Sequence, residues 1–215
     1  MSKKNLGHIR REYKLDQLNE ASLPKDPLEL FEIWLENAQA SGAPDPTAMT
    51  LSTVERGGQP SSRMVLLKKV EDGKLVFYTN YHSRKSREIR TLAKVSAHFY
   101  WPELERQVKI AGIARPVADS DSDHYFHSRP YESNISIWAS PQSEVIPDRD
   151  YLEKEYEKYL KRYPRSGKVP RPAYWGGYAI NPVRIEFWQG GQHRLHDRIE
   201  YTKKEERWNW VRLAP

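Results

Sequence analysis

The sequence contains no cysteine among its 215 residues. A disulfide scaffold, a thiol nucleophile and a metal or iron–sulfur site with cysteine ligands are therefore excluded. No run approaches the ~20 apolar residues that a membrane-spanning helix needs. The first residues, MSKKNLGHIRREYKLDQ, are charged and lack the apolar core of a secretory signal. We therefore expect a cytoplasmic protein.

Common nucleotide-binding and metal-binding motifs are also missing. Neither GxGxxG nor GxxxxGK followed by serine or threonine occurs, so the usual dinucleotide and P-loop fingerprints are absent. No HExxH pattern is present, and we predict no metal site. No arrangement of serine, histidine and aspartate, and no paired carboxylates, stand out as catalytic groups.

Positive charge and aromatic side chains are what the sequence does provide. Lysine and arginine total 35 against 29 acidic residues, a net charge of +6, and 7 Trp, 13 Tyr and 5 Phe can fill a core. A positive balance favours anionic partners, either nucleic acid or small phosphorylated molecules. Because the arginines are scattered singly among apolar and aromatic residues, discrete anion sites are favoured over a nucleic-acid-binding stripe.

Hydrophobic patterning predicts a mainly β fold with peripheral helices, an α+β protein built on an antiparallel barrel. Asp26-Pro27 is typical of a helix start. Strands are predicted at 47–54, 61–70, 74–79, 95–101, 106–117, 175–180, 183–189, 199–202 and 207–213, and helices at 83–93 and within 119–163. We predict a mobile N-terminal segment at 1–25 and a single domain at 26–215.

Two segments in the first half of this domain could bind anions. Alternation along the strand at 61–70 places Arg63, Val65 and Leu67 on one face and Met64, Leu66 and Lys68 on the other. A cation at each end of an apolar strand could hold a phosphate and a flat ring, or the strand could simply have solvated ends. The segment from Thr79 to Lys85 enters a helix, whose free N–H groups attract anions, but a solvated basic turn fits it equally.

A second group of polar side chains lies in the predicted helical region. Tyr125, Arg129 and Ser133 are spaced i, i+4 and i+8, so one helical face could present all three as a phosphate clamp. Pro130 interrupts that helix, and a solvated helix surface is the alternative. Gln107 on a strand could contact the edge of a heterocycle or lie at the surface.

The segment 187–198 has the most unusual composition, with an aromatic pair, a glycine turn, two histidines and two arginines. Alternation after the turn would send Arg194, His196 and Arg198 to the same face. We interpret His196 as an anion-binding or proton-handling group whose pKa is lowered by the nearby cations. A metal site and a plain hairpin are the alternatives.

Taken together, these motifs resemble those of the pyridoxine/pyridoxamine 5′-phosphate oxidase family. The resemblance is carried by RREY at 10–13, SRMVLLK at 62–68, FYTN at 77–80, SRK at 83–85, ERQV at 105–108, YFHSRP at 125–130, QS at 142–143 and IEFWQGGQHRLHDR at 185–198. It implies a split β-barrel of the FMN-binding type that works as a homodimer, with sites built from both subunits.

The resemblance also implies a role for each matching residue. The FMN-binding residues would be Arg63, Met64, Val65, Leu66, Leu67, Lys68, Tyr78, Thr79, Arg84, Lys85, Gln107, Gln142, Ser143, Trp188 and Arg198. The substrate-binding residues would be Arg10, Tyr13, Lys68, Tyr125, Arg129, Ser133, Arg194, Leu195 and His196. Arg194 and His196 would lie beside the reacting pyridine ring, as the catalytic pair. Arg10 and Tyr13 would belong to a segment that folds over the substrate.

The implied reaction is the last step in the biosynthesis or salvage of pyridoxal 5′-phosphate. Pyridoxamine or pyridoxine 5′-phosphate would be oxidised at its 4′ carbon, with hydride passing to the flavin and O₂ giving H₂O₂. Ammonia would be released from the amine. The alternatives are a split-barrel flavin-binding protein with another ligand and a basic nucleic-acid-binding barrel.

Overall fold

The computed structural model of the protein describes residue 6, residue 8 and residues 11–215. Strands predominate, as the sequence pattern predicts. They are β1 (Ala48–Val54), β2 (Pro60–Leu66), β3 (Lys69–Glu71), β4 (Lys74–Asn80), β5 (Lys94–Trp101), β6 (Arg106–Pro116), β7 (Trp175–Gln189), β8 (Asp197–Lys204) and β9 (Arg207–Arg212).

The strands form one sheet in the order β2-β1-β5-β6-β7-β4-β3, with β8 pairing to β7 and β9 pairing to β8. Strand β7 is long enough to have two antiparallel partners. Its first part pairs with β4, from Asn80 opposite Trp175 to Leu75 opposite Ile180, and its second part pairs with β8. We predicted two strands here, split at Asn181-Pro182. They are continuous because proline and the residue before it both favour extended backbone.

Helices connect the strands and lie at α1 (Pro27–Ala40), α2 (Arg84–Thr91), α3 (Asp119–Ser128), α4 (Tyr131–Ala139) and α5 (Arg149–Arg162). Helix α1 begins as predicted, because the carboxylate of Asp26 accepts a hydrogen bond of 3.0 Å from the backbone N–H of Leu28. Short 3-10 turns occur at Glu20–Ser22, Pro102–Leu104 and Gln192–Arg194.

Two predicted elements are divided in the structure. The strand predicted at 61–70 is β2 followed by the short β3, because Leu67 leaves the strand to become buried. The helical region predicted at 119–163 is three helices. Pro130 separates the first two and precedes the first residue of α4, where its missing N–H costs nothing.

The chain divides into two compact units. The first comprises the described residues through Ala48 with Ala97–Ala111 and Val183–Pro215. Its core includes edge-to-face aromatic contacts between Phe31 and Phe99 at 5.0 Å, and between Trp34 and Phe187 at 5.2 Å.

The second unit comprises Met49–Ser96 and Gly112–Pro182. Its helical side is packed around Phe126, Ile135, Val169 and Trp175, with tyrosine rings completing the cluster. Aromatic side chains therefore supply much of the apolar burial in both units.

Within the part of the chain that the structure describes, no helix is both long and apolar enough to cross a membrane. The cytoplasmic location stays a prediction. Residues 11–18 form hydrogen bonds within the first unit, from the N–H groups of Lys14 and Leu15 to the carboxylate of Glu105. The division into a mobile segment 1–25 and a domain 26–215 also stays a prediction.

Candidate functional site

A cavity of about 970 Å³ opens in the second unit. It is bordered by β2, the end of β4, the start of α2, the α3–α4 junction and the loop after α4. Fourteen residues singled out from the sequence line it: Arg63, Met64, Val65, Leu66, Lys68, Tyr78, Thr79, Arg84, Lys85, Tyr125, Arg129, Ser133, Gln142 and Ser143. The motifs that are scattered along the sequence thus meet at one place.

Strand β2 forms one wall of this cavity. Met64 and Leu66 expose their apolar side chains there, and cations are added by Arg63 at the middle of β2 and by Lys68 two residues after its end. Residues of both predicted faces line the cavity. Leu67 is the exception, because its side chain is 3% exposed and lies in the core.

Arg63 is held by a dense set of acceptors. Its Nη1 donates to the backbone oxygen of Leu51 at 3.0 Å and to Thr53 Oγ1 at 2.6 Å. Its Nη2 donates to Ser61 Oγ at 2.5 Å and lies 3.3 Å from a carboxylate oxygen of Glu88. The guanidinium is therefore fixed before any ligand binds.

Lys85 places a buried ammonium group beside the cavity. Its Nζ donates to Thr79 Oγ1 at 3.1 Å, Ser83 Oγ at 3.3 Å and Gln142 Oε1 at 3.1 Å. All three acceptors are neutral. Burial, together with the positive charge of Arg63, lowers the pKa of Lys85 to about 8. A buried cation whose hydrogen-bond acceptors are all neutral is suited to an anionic ligand.

The predicted clamp of Tyr125, Arg129 and Ser133 is formed by two helices and not by one helical face. Arg129 follows the last residue of α3, and Ser133 lies in the first turn of α4, so the three residues do not share one helical face. Tyr125, Arg129 and Ser133 nevertheless line the same cavity. Among the described residues, the buried Nη1 of Arg129 has no hydrogen-bond partner, and burial lowers the pKa of this guanidinium. An unpaired buried donor is costly, so this atom is available to a ligand.

Trp175 also lines the cavity, although no sequence pattern indicated it. Its ring lies 5.0 Å from the guanidinium carbon of Arg129, a cation–π distance. The rings of Tyr78 and Tyr125 are stacked with centroids 3.9 Å apart, and Tyr78 stacks on Trp175 at 5.6 Å. This aromatic group stiffens the wall that carries Arg129.

The other described candidates lie in the first unit. The rings of Tyr13, Trp188 and His196 form a cluster with centroid separations of 5.6 Å for Tyr13–Trp188, 5.5 Å for Tyr13–His196 and 4.6 Å for Trp188–His196. Arg194 and Leu195 are exposed beside it. Arg10 lies outside the described residues.

The predicted alternation of Arg194, His196 and Arg198 is wrong. Residues 192–194 form a 3-10 turn in which His193 and Arg194 have φ of 54° and 64°, and β8 begins only at Asp197. Alternation requires extended backbone, which this turn does not have.

His196 has a defined tautomer. Its Nδ1 accepts a hydrogen bond of 3.1 Å from the backbone N–H of Gly191, so Nδ1 carries no proton and the neutral ring presents Nε2–H. Burial and then the charge of Arg194 lower the pKa of His196. The predicted direction is confirmed, with burial as the larger cause. At neutral pH the ring is a hydrogen-bond donor through Nε2.

Arg198 and Gln107 are held by polar neighbours in the same unit. Arg198 Nε donates to Glu186 Oε1 at 2.9 Å, and Arg198 lies opposite Trp188 in the β7–β8 pairing. The amide oxygen of Gln107 lies 3.0 Å from His98 Nε2.

The donor set fits a phosphorylated, planar ligand. The cavity offers guanidinium, ammonium, hydroxyl and amide groups together with apolar and aromatic surface. These groups bind phosphate and flat rings, and the buried, unpaired Nη1 of Arg129 and the buried Nζ of Lys85 are positioned to receive anionic oxygens. The residues therefore fit FMN, a phosphorylated ligand with a planar ring system.

Solved structures define the fold class. The chain is similar to PhzG from Burkholderia lata, solved in complex with tetrahydrophenazine-1-carboxylic acid, with a TM-score of 0.88 and 30% identity over 94% of this chain and 100% of that one. It also shares its fold with a pyridoxamine 5′-phosphate oxidase-related, FMN-binding protein from Nostoc punctiforme, with a TM-score of 0.71 and 15% identity over 90% and 100% of the two chains. The predicted split-barrel fold is confirmed.

Sequence relatives identify the family within this fold class. A family model described as pyridoxamine 5′-phosphate oxidase matches residues 35–163, and one described as the pyridoxine 5′-phosphate oxidase C-terminal dimerisation region matches residues 175–215. The oxidase of Shewanella pealeana is 48% identical over 96% of this chain and 97% of its own. That of Cytophaga hutchinsonii is 47% identical over 99% and 100%. The chain belongs to the pyridoxine/pyridoxamine 5′-phosphate oxidase family, a family of oxidoreductases, and the predicted resemblance is confirmed.

Proposed function

We propose that this protein uses FMN and O₂ to oxidise pyridoxamine or pyridoxine 5′-phosphate to pyridoxal 5′-phosphate. The alcohol and O₂ give the aldehyde and H₂O₂. The amine additionally takes up water, which supplies the aldehyde oxygen, and releases ammonia. When bound, FMN supplies the hydride acceptor and the route for electrons to O₂.

The observation that carries the proposal is that five cationic side chains line one cavity of the second unit. We divide these cations into two anion-binding groups, the first being Arg63, Arg84 and Lys85 and the second Lys68 and Arg129. Aromatic and apolar side chains line the same cavity. Two phosphorylated ligands with planar rings, namely the cofactor and the substrate, would occupy both groups. A single ligand with one phosphate would leave one group with no anion to bind.

We assign the first group to the phosphate of FMN. Arg63, Arg84 and Lys85 would bind it, while the apolar wall formed by Val65 and Leu66 would lie along the ring system. Thr79, Gln142 and Ser143 add neutral hydrogen-bonding groups to the same cavity.

We assign the second group to the phosphate of the substrate. Arg129 would donate through its unpaired Nη1, with Lys68, Tyr125 and Ser133 completing the clamp. Holding the substrate ring against the cofactor is then mainly a proximity effect. Arg194 would stabilise developing charge, and His196 would donate through Nε2–H near the pyridine oxygen; neither acts as an essential base.

We also propose a homodimer in which both subunits contribute to each site. The match of residues 175–215 to a dimerisation region supports this assembly. Gln107, Trp188, Arg198 and the catalytic pair, Arg194 and His196, would then complete a site with the cavity of the partner subunit. Tyr13 and Arg10 would belong to the N-terminal segment that covers the substrate.

The test is an absorbance spectrum of the purified protein without oxygen, before and after addition of pyridoxamine 5′-phosphate. We expect a flavin spectrum that bleaches on addition. A flavin spectrum that does not change would favour a split-barrel protein with another ligand. A protein that stays colourless after incubation with FMN would contradict the proposal, and salt-dependent binding of oligonucleotides would then favour the nucleic-acid alternative.

A further inference from the structure

Glu88 is a buried carboxylate behind the cavity wall. It lies on α2, one turn after Arg84, and is 5% exposed. Its Oε2 accepts hydrogen bonds from Ser61 Oγ at 2.7 Å and from Thr53 Oγ1. Its Oε1 accepts from Arg84 Nε at 2.9 Å, and Arg63 Nη2 lies 3.3 Å from Oε2. A single carboxylate thus touches two arginines that line the cavity.

The two arginines depend on Glu88 to different extents. Arg63 has further acceptors in Thr53 and Ser61, so its plane is fixed by several contacts. Arg84 has a half-exposed side chain, and its other acidic neighbour, Glu55, lies 3.6 Å from Nη2 and is itself half-exposed. Because exposed ion pairs hold a side chain weakly, Glu88 is the main restraint on Arg84.

Glu88 also balances charge at this end of the cavity. Arg63, Arg84 and Lys85 repel one another, and the charge of Arg63 contributes to lowering the pKa of Lys85. Burial raises the pKa of Glu88, but hydrogen bonds from Ser61, Thr53 and Arg84 lower it to about 2, so the carboxylate stays ionised. One carboxylate against three cations leaves an excess of positive charge for a phosphate.

We propose that Glu88 is a positioning residue that orients the guanidinium groups of Arg63 and Arg84 toward the phosphate of FMN. The proposal rests on the proposed function, because it takes the ligand at this corner to be the FMN phosphate. It predicts a specific defect: loss of Glu88 weakens the recognition of the phosphate and leaves the recognition of the flavin ring intact.

The experiment compares FMN with riboflavin, which has the same ring system and no phosphate. Dissociation constants of the apoprotein for both flavins are measured by quenching of flavin fluorescence in the native protein and in Glu88→Gln. The amide keeps the shape of the carboxylate but brings an NH₂ donor among groups that donate. Glu153→Gln is the matched control, because Glu153 forms an Arg–Glu pair of the same i, i+4 spacing with Arg149 on an exposed helix surface.

We expect Glu88→Gln to raise the dissociation constant for FMN about tenfold to a hundredfold, the range for a lost charge-assisted hydrogen bond. The constant for riboflavin should change less than about twofold, and Glu153→Gln should change neither. Equal weakening of both flavins would overturn the proposal, since it would indicate a general structural defect. Unchanged or tighter binding of FMN would also overturn the proposal. The negative charge of Glu88 would then contribute only repulsion of the phosphate and no orientation of the arginines.

A second variant keeps the test decisive if Glu88→Gln does not fold. Glu88→Asp retains the charge but withdraws it by one methylene, and we expect a smaller loss that is again confined to FMN. A native apoprotein that binds FMN no better than riboflavin would contradict the phosphate assignment of the proposed function. If the native protein prefers FMN and that preference is undiminished in both Glu88→Asp and Glu88→Gln, the role of Glu88 is contradicted while the phosphate assignment stands.

Discussion

The buried ammonium of Lys85 and the side-chain amide of Gln142 are joined by a hydrogen bond of 3.1 Å between Nζ and Oε1. Thr79 donates to the same oxygen at 3.1 Å. Two donors on one oxygen fix the orientation of the amide, so Nε2 of Gln142 remains as a donor for a ligand. Lys85 therefore organises a neutral neighbour as well as supplying charge.

We expect the affinity for FMN to fall as the pH rises above about 8. The pKa of Lys85 is about 8 in the free protein, and an anionic phosphate favours the charged form and raises that pKa on binding. Below pH 8 the ammonium is already present. Above it, a proton must be taken up on binding, which weakens affinity by at most about tenfold per pH unit. Fluorescence titrations between pH 7 and 9.5 measure the dissociation constant for FMN as a function of pH.

The matched variants for that experiment are Lys85→Met and Lys158→Met. Lys85→Met should bind FMN weakly and without the fall above pH 8. Lys158 is an exposed helix residue paired with Glu155, and its replacement should leave the native pH dependence unchanged. A native profile that is flat through pH 9 would contradict the role of Lys85.

Arg129→Lys should raise the KM for pyridoxamine 5′-phosphate about tenfold to a hundredfold, because a lysine cannot reproduce the fixed donor geometry of Nη1 beside Trp175. The dissociation constant for FMN should stay within about twofold. Steady-state kinetics at saturating FMN measure the first effect and fluorescence titration the second. The weak turnover of unphosphorylated pyridoxamine should be equal in the native protein and in Arg129→Lys. If Arg129→Lys lost that activity to the same extent, the assignment of Arg129 to the substrate phosphate would be contradicted.

Short-range features of this site were predictable, and long-range ones were not. Tyr125, Arg129 and Ser133 could be grouped because they are close in sequence, although Pro130 changed how they meet. The prediction that Arg194, His196 and Arg198 share one face was wrong because His193 and Arg194 have left-handed backbone. The sequence of this polar segment gives no indication of that conformation. Trp175 had no signal, since its partner Arg129 is distant in sequence. The i, i+4 spacing of Arg84 and Glu88 allowed a local pair, but the contact of Glu88 with Arg63, 25 residues away, could not be read from the sequence.

His196 should titrate below its ordinary pKa of 6.5 and remain neutral at pH 7, because burial and the charge of Arg194 disfavour the imidazolium. Nitrogen-15 NMR of labelled histidine should show Nδ1 unprotonated at that pH, since Gly191 N–H donates to it. The spectrum of His196→Asn identifies the resonance by its loss. A pKa above 6.5, or a protonated Nδ1 at pH 7, would contradict this assignment.

Gly190→Ala should detach the segment that carries Tyr13. A Cβ added at Gly190 would lie 2.8 Å from Tyr13 Cβ, a separation that real Cβ contacts do not show. We expect trypsin to cleave after Arg11 and Lys14 several-fold faster than in the native protein, since cleavage follows the open population. Gly167→Ala is the control, because its nearest contact would be 3.5 Å away. Equal cleavage in all three proteins would show that Gly190 does not hold the segment.

Mixing two variants that each have weakened FMN binding tests whether each site is shared between subunits. Lys85→Met damages the cavity of the second unit, and Arg198→Ala removes a proposed FMN ligand of the first unit. In a heterodimer with shared sites, one site carries both changes and the other carries neither. Random re-pairing of equal amounts makes about half the dimers mixed, so about a quarter of native activity should return. If each site belonged to one subunit, every site would carry one change, and mixing would restore no activity beyond that of the single variants. The measurement is oxidase activity after the variants are unfolded together and refolded with FMN, with each variant refolded alone as the control.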